Sequence, residues 1–433
     1  MPQTEPFHHP DSYYTSSIAL PPARPSLQAS MNVEICIIGG GLAGLGAALP
    51  LVEHGREVVM IEAGRIGSGA SGRNGGQVIS DYACGMIEIE KQVGLPQAQW
   101  FWQQSLDAVA LVEQRINQFQ IDCDWQYGYA TAAIRPHHFK ELVSWHDRAA
   151  KRYGYTHYEL WNKTRLQQAL ASEHYIGALF DPKSGHLNPL KYTLGLADAA
   201  VSAGLKIYED TPCNGIQRLQ KGFIVSTPAA DIHCKHLIVA VNSRIGEISA
   251  TALHKVDRKI IPVGSFIIAT EPLGQQAKEL IRNNMAVCDN CYILDYFRLS
   301  ADGRLLFGGK DSSFPRSQKH IIRTLRKNML KVFPQLENAR IDYAWGGECD
   351  VSANLAPNFG QLPSNIYFMQ GFSGHGVALS GIAGLAVAEA ILGNPARLQQ
   401  FEKLLHRDIP GGPWLRKPAL AAASAFHQIK DLF

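Results

Sequence analysis

Hydrophobic positions along this chain repeat with two periods, and the switches between them mark its elements. Residues 33–38 form a nearly continuous apolar run, the pattern of a strand buried on both faces. Residues 42–54 space apolar and small side chains as a helix does, and 57–61 turn apolar again, so 33–64 reads as strand, helix, strand. Helical spacing returns at 98–119, 136–153, 189–203 and 317–332, whereas 206–241, 259–270, 291–299 and 304–309 alternate or run apolar as strands do. Near the C-terminus an apolar strand at 366–369 passes through a cluster of glycines into a helix of small residues. Residues 1–30 carry neither period and are expected to be an extended or disordered lead.

Composition narrows the class. The chain has 433 residues, 46% of them hydrophobic, enough for a large core and two or three domains' worth of sequence. Lys and Arg number 41 against 38 Asp and Glu, and the resulting +3 gives no electrostatic reason to invoke nucleic acid or an anionic membrane. Eight cysteines lie scattered without the rhythm of a disulfide framework, which suits a reducing cytoplasm. The lead has no basic segment followed by an apolar one, and the longest weakly polar run, 382–393, is far short of the about 20 apolar residues a bilayer span needs. A soluble cytoplasmic enzyme is expected.

The first chemistry lies where the opening strand ends. Gly39, Gly41 and Gly44 form G-x-G-x-x-G between strand and helix, with Leu42 and Ala43 inside the motif. The first glycine permits the tight turn, the second lets a pyrophosphate approach the backbone, and the third lets helix and strand pack closely. The helix N-terminus adds N–H groups and a positive dipole end for phosphates. Glu62, followed by Ala63, ends the second strand where a carboxylate can accept both hydroxyls of an adenosine ribose. FAD and NAD share this fingerprint. The next segment decides between them: instead of a helix and third strand, the chain enters "GSGASGRNGGQV" at 67–78. So much bare backbone is expected to lie along an extended flavin cofactor, beyond the phosphates, where side chains would collide with the ring: Gly72, Gly75 and Gly76 contact the cofactor, Ser71 lies near the pyrophosphate, and Arg73, Asn74 and Gln77 are offered to flavin edge or phosphates. A third element, Gly371, Ser373, Gly374, His375, Gly376 and Val377, opens the C-terminal helix, whose positive end would stabilise negative charge on a reduced flavin. His375 faces flavin or substrate, or is a turn residue.

These three elements, in this order and at opposite ends of the chain, resemble the D-amino-acid-oxidase superfamily of FAD-dependent amine and amino-acid oxidoreductases. "ASGRNGGQ" and "YFRLSADGRLLFGG" are shared across many of its branches. "SYYTSS", "IEKQVG", "QIDCDW", "VFPQL" and "PGGPWLRKP" are similar to the branch that acts on gamma-glutamylated amines. The resemblance implies an α/β chain of two domains: a Rossmann-like FAD-binding domain from 31–90, 181–250 and 346–410, and a discontinuous antiparallel-sheet substrate domain from 91–180 and 251–345. A lead (1–30) and a C-terminal tail helix (411–433) flank them. It further implies that Cys213 backbone meets the adenine, and that 238–243 ends a strand beside the cofactor, with Asn242 where many relatives have glycine.

The strand holding Tyr292, Tyr296, Phe297 and Arg298 is the expected substrate wall, because aromatic faces can box an alkyl amine and an arginine fork suits a carboxylate. Arg298 is otherwise a structural residue. Lys310 supplies charge that helps oxygen accept electrons, or sits in solvent. Cys349 is wrongly offset from Pro357 for the covalent flavin link of sarcosine-oxidase-like members, so FAD is expected to be non-covalent. Cys288-x-x-Cys291 lacks a second ligand pair, so no metal is expected. The activity implied is oxidation of the primary amine of gamma-glutamylputrescine or a related gamma-glutamylated amine, with molecular oxygen as acceptor and aldehyde, ammonia and hydrogen peroxide as products. Three rivals stay open: an oxidase or dehydrogenase of N-methyl or D-amino acids, in which Arg298 grips the carboxylate; a dehydrogenase reducing quinone; and a non-catalytic flavin-binding module.

Overall fold

The computed structural model describes residues 8–291, 294–310 and 317–409, and within them the chain builds two sheets. The first has eight strands. Its main path runs Asn358–Leu362, Ile366–Gln370, Asp231–Val239, Met31–Ile38, Val58–Ile61, Lys206–Tyr208. Met31–Ile38 lies between Asp231–Val239 and Val58–Ile61 and is parallel to both. Ile35, Cys36 and Ile37 are wholly buried, as a parallel strand covered on both faces requires. Two helices, Leu42–Glu53 and Gly376–Ile391, are apolar nearly all round. Such helices belong inside, and these pack on each other while Leu95–Phe119 covers the second of them. Thus chain segments from both ends meet at one site.

The second sheet has nine strands, in the order Ile341–Ser352, Ile260–Thr270, Leu305–Lys310, Asp295–Leu299, Ala286–Asp289, Gln126–Ala133, Gly177–His186, Gln77–Val78, with Glu159–Asn162 pairing beside Gly177–His186. Neighbours are antiparallel except Ala286–Asp289 with Gln126–Ala133. One face carries Phe297 and Phe307 under the amphipathic helix Gln318–Val332. The opposite face presents Tyr296 to the glycine-rich loop, whose Gly75 lies against its ring.

Of the two readings of the lead, residues 8–30 follow the extended one apart from a single helical turn, and they are packed onto the molecule. Ser12 caps a helical turn, Tyr13–Ser16, and Tyr14 and Leu27 are buried. Other expectations need correction. The strands Gln126–Ala133, Gly177–His186 and Ile341–Ser352 had no clear apolar alternation to announce them. Two of the expected domain divisions, at 180/181 and 345/346, fall inside strands of the second sheet, and Gln77–Val78 also belongs to that sheet. The physical reason is that Gly177–His186 and Ile341–Ser352 each complete their pairing in the second sheet before the chain passes on to the first, so no composition break falls at 180/181 or 345/346. The tail helix expected at 411–433 lies outside the described residues. No helix among the described residues is long and apolar enough to cross a membrane.

Candidate cofactor and active site

A cavity of about 290 Å³ opens at the C-terminal end of the first sheet. Its floor is the turn Ile38–Ala43, where Gly39 has φ +110° and a Cβ would collide with the carbonyl of Ala240. At Gly44 a Cβ would strike the carbonyl of Gly39, so the turn and the helix can close only on glycine. Glu62 borders the cavity, and its carboxylate accepts N–H bonds from Gly40 (2.7 Å) and Gly64 (3.0 Å). Burial raises its pKa, and these two bonds pull the other way. They also fix the carboxylate's orientation while leaving lone pairs for further donors. Ala63, Cys213 and Asn242 line the same space.

The glycine-rich loop folds back over the helix start. Ser71 Oγ accepts the N–H of Leu42 at 2.9 Å, at the helix end where a phosphate is favoured. Residues 67–71 and Asn74 line the cavity, and Gly72 is buried against Leu190. The Arg73 and Asn74 side chains are engaged by backbone, of the loop and of distant segments. Arg73 donates to the carbonyls of Ser68, Gly346 and His8. Burial, with Arg244 adding to it, lowers its pKa to about 10. The Asn74 amide donates to Ala70 and Ser71 carbonyls and accepts from Gly76 N–H. Gly76 and Gln77 already lead into the second sheet, where Gln77 pairs with His186. So Arg73, Gly75, Gly76 and Gln77 shape the passage between sheets and lie off the cavity wall.

In the third element Gly374, Gly376 and Val377 line the cavity, whereas Gly371 and Ser373 stand behind it. His375 takes the N-cap position of Gly376–Ile391, bonded through its own N–H to Phe372 O, and is not on the cavity wall. The residue that organises this turn is Asp350, which the sequence reading missed. Its carboxylate accepts Gly371 N–H at 2.7 Å, its carbonyl accepts Ser373 N–H at 3.1 Å, and it lines the cavity. Burial pushes its pKa up to about 6. Nothing local in "GGECDVS" signals this, because its partners lie some twenty residues onward. Asn242 has φ +54°, the left-handed conformation that asparagine tolerates. Its side chain bridges Glu348 O and Asp350 N.

On the second sheet, Tyr296 Oη and Ser265 Oγ are 3.0 Å apart, and the tyrosine ring rests on Gly75 and Gly308. Burial raises the Tyr296 pKa, so its hydroxyl stays protonated at neutral pH. Arg298 is not available to a substrate carboxylate. It is 3% exposed, and its guanidinium donates to Gly75 O (2.6 Å), Leu187 O (2.9 Å), Leu299 O (3.1 Å) and Tyr14 Oη (3.1 Å). Lys310 ends its strand opposite Ser265, but its side chain, like Tyr292, lies outside the described residues. Among the described residues no His, Cys, Asp and Glu groups gather in a set that could hold a metal ion.

The family model for FAD dependent oxidoreductases (DAO) matches residues 34–390. The chain belongs to the DAO family of FAD-dependent oxidoreductases. It is 43% identical over 426 residues to the probable oxidoreductase OrdL of Haemophilus influenzae, with 98% of each chain covered. It is 37% identical to the gamma-glutamylputrescine oxidoreductase of Escherichia coli, again over 98% of both chains. Glycine oxidase from Geobacillus kaustophilus superposes with a TM-score of 0.72 at 20% identity, over 87% of this chain and 99% of that one. The DAO-like two-sheet fold and an FAD-dependent enzyme therefore stand. The cavity fits this cofactor: glycine backbone where side chains would intrude, a helix N-terminus for phosphates, and an oriented carboxylate for a ribose. The residues that would hold it are Gly39–Ala43, Glu62, Ser71, Cys213, Asn242, Gly374, Gly376 and Val377. FAD would supply two-electron acceptance there.

Proposed function

We propose that this enzyme oxidises the free primary amine of gamma-glutamylputrescine or a related gamma-glutamylated amine. Amine, oxygen and water become aldehyde, ammonia and hydrogen peroxide. The observation that carries the reading is the 37% identity to the Escherichia coli protein of that name along nearly the whole of both chains. The site agrees with it on one point. The arginine that a carboxylate-gripping site would use, Arg298, is closed inside the protein by four hydrogen bonds, which weakens the N-methyl and D-amino-acid readings.

The chain's own part in such chemistry is positional. In this reading the amine lies against the face of the second sheet that carries Tyr296 and Ser265, whose hydroxyls are 3.0 Å apart, a neutral, aromatic surface that would orient an alkyl amine by contact and hydrogen bonding. Burial beside that wall favours the uncharged amine over its ammonium form, so no dedicated base is needed. The helix beginning at Gly376 directs its positive end to the cavity. A peroxide-coupled screen of gamma-glutamylputrescine, putrescine, sarcosine, D-alanine and glycine tests the reading. Turnover highest on gamma-glutamylputrescine supports it, and preference for any of the amino acids overturns it. Oxygen uptake in the same assay, against reduction of a dye under nitrogen, tests oxygen as acceptor.

A further inference from the structure

The tyrosine segment "SYYTSS" precedes the 34–390 span that defines the family, yet it is tied to the flavin loop. Three successive carbonyls of that loop are each held by a side chain from a distant part of the chain. Arg73 O accepts from Trp345 Nε1 at 3.0 Å, Asn74 O from Tyr14 Oη at 2.8 Å, and Gly75 O from Arg298 Nε at 2.6 Å. The three side chains also hold one another. The Tyr14 ring meets Trp345 edge-on at 5.2 Å, and Tyr14 Oη accepts from Arg298 Nη2 at 3.1 Å. Tyr14 is therefore the middle member, donating to the loop and accepting from the arginine, with 0% of its surface exposed.

The segment around it is fastened on both sides. Before it, His8 O accepts from Arg73. After it, Pro21 O accepts from Arg65, and Arg24 N–H donates to the buried carboxylate of Glu209, which also binds Arg65 and Ile66 N–H. The arm thus crosses the segment from Glu62 to Asn74 that walls the cavity. Pinning three consecutive carbonyls fixes the peptide planes of the loop, and with them the part of the cavity wall that Asn74 forms.

We infer that the N-terminal arm is a strap for FAD, with Tyr14 as a positioning residue that sets the flavin loop, and that arm and cofactor stabilise each other. Such coupling is reciprocal: a strap that tightens FAD binding must itself be tightened by FAD. This inference rests on the family's cofactor and not on the identity of the amine.

The experiment uses the full-length chain, stripped of FAD and reloaded. Tyr14→Phe keeps the ring against Trp345 and removes only the hydroxyl. Its FAD dissociation constant, read by quenching of flavin fluorescence, is expected to rise about tenfold, the effect of one buried hydrogen bond. Trp345→Phe, which frees the Arg73 carbonyl, is expected to shift it in the same direction. Gln103→Ala, an exposed side chain that donates to Asp107 on the helix Leu95–Phe119, is expected to leave it unchanged. Hydrogen–deuterium exchange over residues 8–20 is expected to slow when FAD binds the wild type, and to slow less in Tyr14→Phe. FAD affinity within about twofold of wild type in both loop variants, or arm exchange indifferent to FAD, overturns the strap.

Discussion

Arg298→Lys separates two roles for one residue. The arginine makes four hydrogen bonds from a 3%-exposed position, three of them to carbonyls of residues 75, 187 and 299. A lysine ammonium keeps the charge but gathers its donors at one point, so it reaches about half of those acceptors. Two buried acceptors left without partners cost about 1–3 kcal/mol each, a total of about 2–6 kcal/mol. For a chain of 433 residues about 1 °C is lost per kcal/mol, so the melting temperature of the FAD-loaded protein should fall by about 2–6 °C. A residue that merely gripped a substrate carboxylate would leave melting nearly untouched. The assay pairs thermal melting with KM for gamma-glutamylputrescine, which has a carboxylate, and putrescine, which has none. A melting temperature within about 1 °C of wild type, with KM raised for the carboxylated amine alone, refutes the clamp.

Other outcomes follow from the same geometry. Glu62→Gln replaces one of two acceptor oxygens with a donor facing an N–H, so FAD affinity should drop about tenfold or more by fluorescence titration. Asp289, 4% exposed, has its pKa raised to about 7, first by burial and then by Asp295. Its folded form holds a proton that the unfolded chain releases, so its contribution to stability is greatest below about pH 4 and is lost as pH rises toward 7. Asp289→Asn should therefore gain about 2–3 kcal/mol relative to wild type between pH 5 and pH 8, read from melting at both. An equal difference at the two pH values contradicts it. Cys349 lines the cavity with its Sγ at 3.5 Å from Val263 O. We expect non-covalent FAD: acid precipitation should release all flavin from the wild type, and Cys349→Ser should bind it equally.

The first strand, helix and acid were legible because their signals are local: an apolar run, three glycines at fixed spacing, and a carboxylate at a strand end. The cavity indeed lies among Gly39, Gly41, Glu62, Ser71 and Val377. What sequence did not convey is direction. Arg73 and Asn74 look like ligand-facing polar groups, but backbone carbonyls, of the loop for both and of residues 8 and 346 for Arg73, take their donors. Arg298 is likewise claimed by backbone from two other segments and by the Tyr14 hydroxyl, which no spacing announces. Ile341–Ser352 is a long strand despite Gly346 and Gly347, because a Cβ at the first would strike the Phe266 ring and the second faces Arg73. Its Asp350 acts on a turn made much later in the chain. Tyr14 sits in a stretch with no period at all, and its burial comes wholly from tertiary contacts.

The most direct test of the whole account is an anaerobic titration of the purified, FAD-loaded protein with gamma-glutamylputrescine, followed by flavin absorbance. The account predicts a yellow protein that one equivalent of the amine bleaches and that regains its colour on admitting air. Protein that takes up no FAD, or a bound flavin that neither this nor any related amine bleaches, would contradict it.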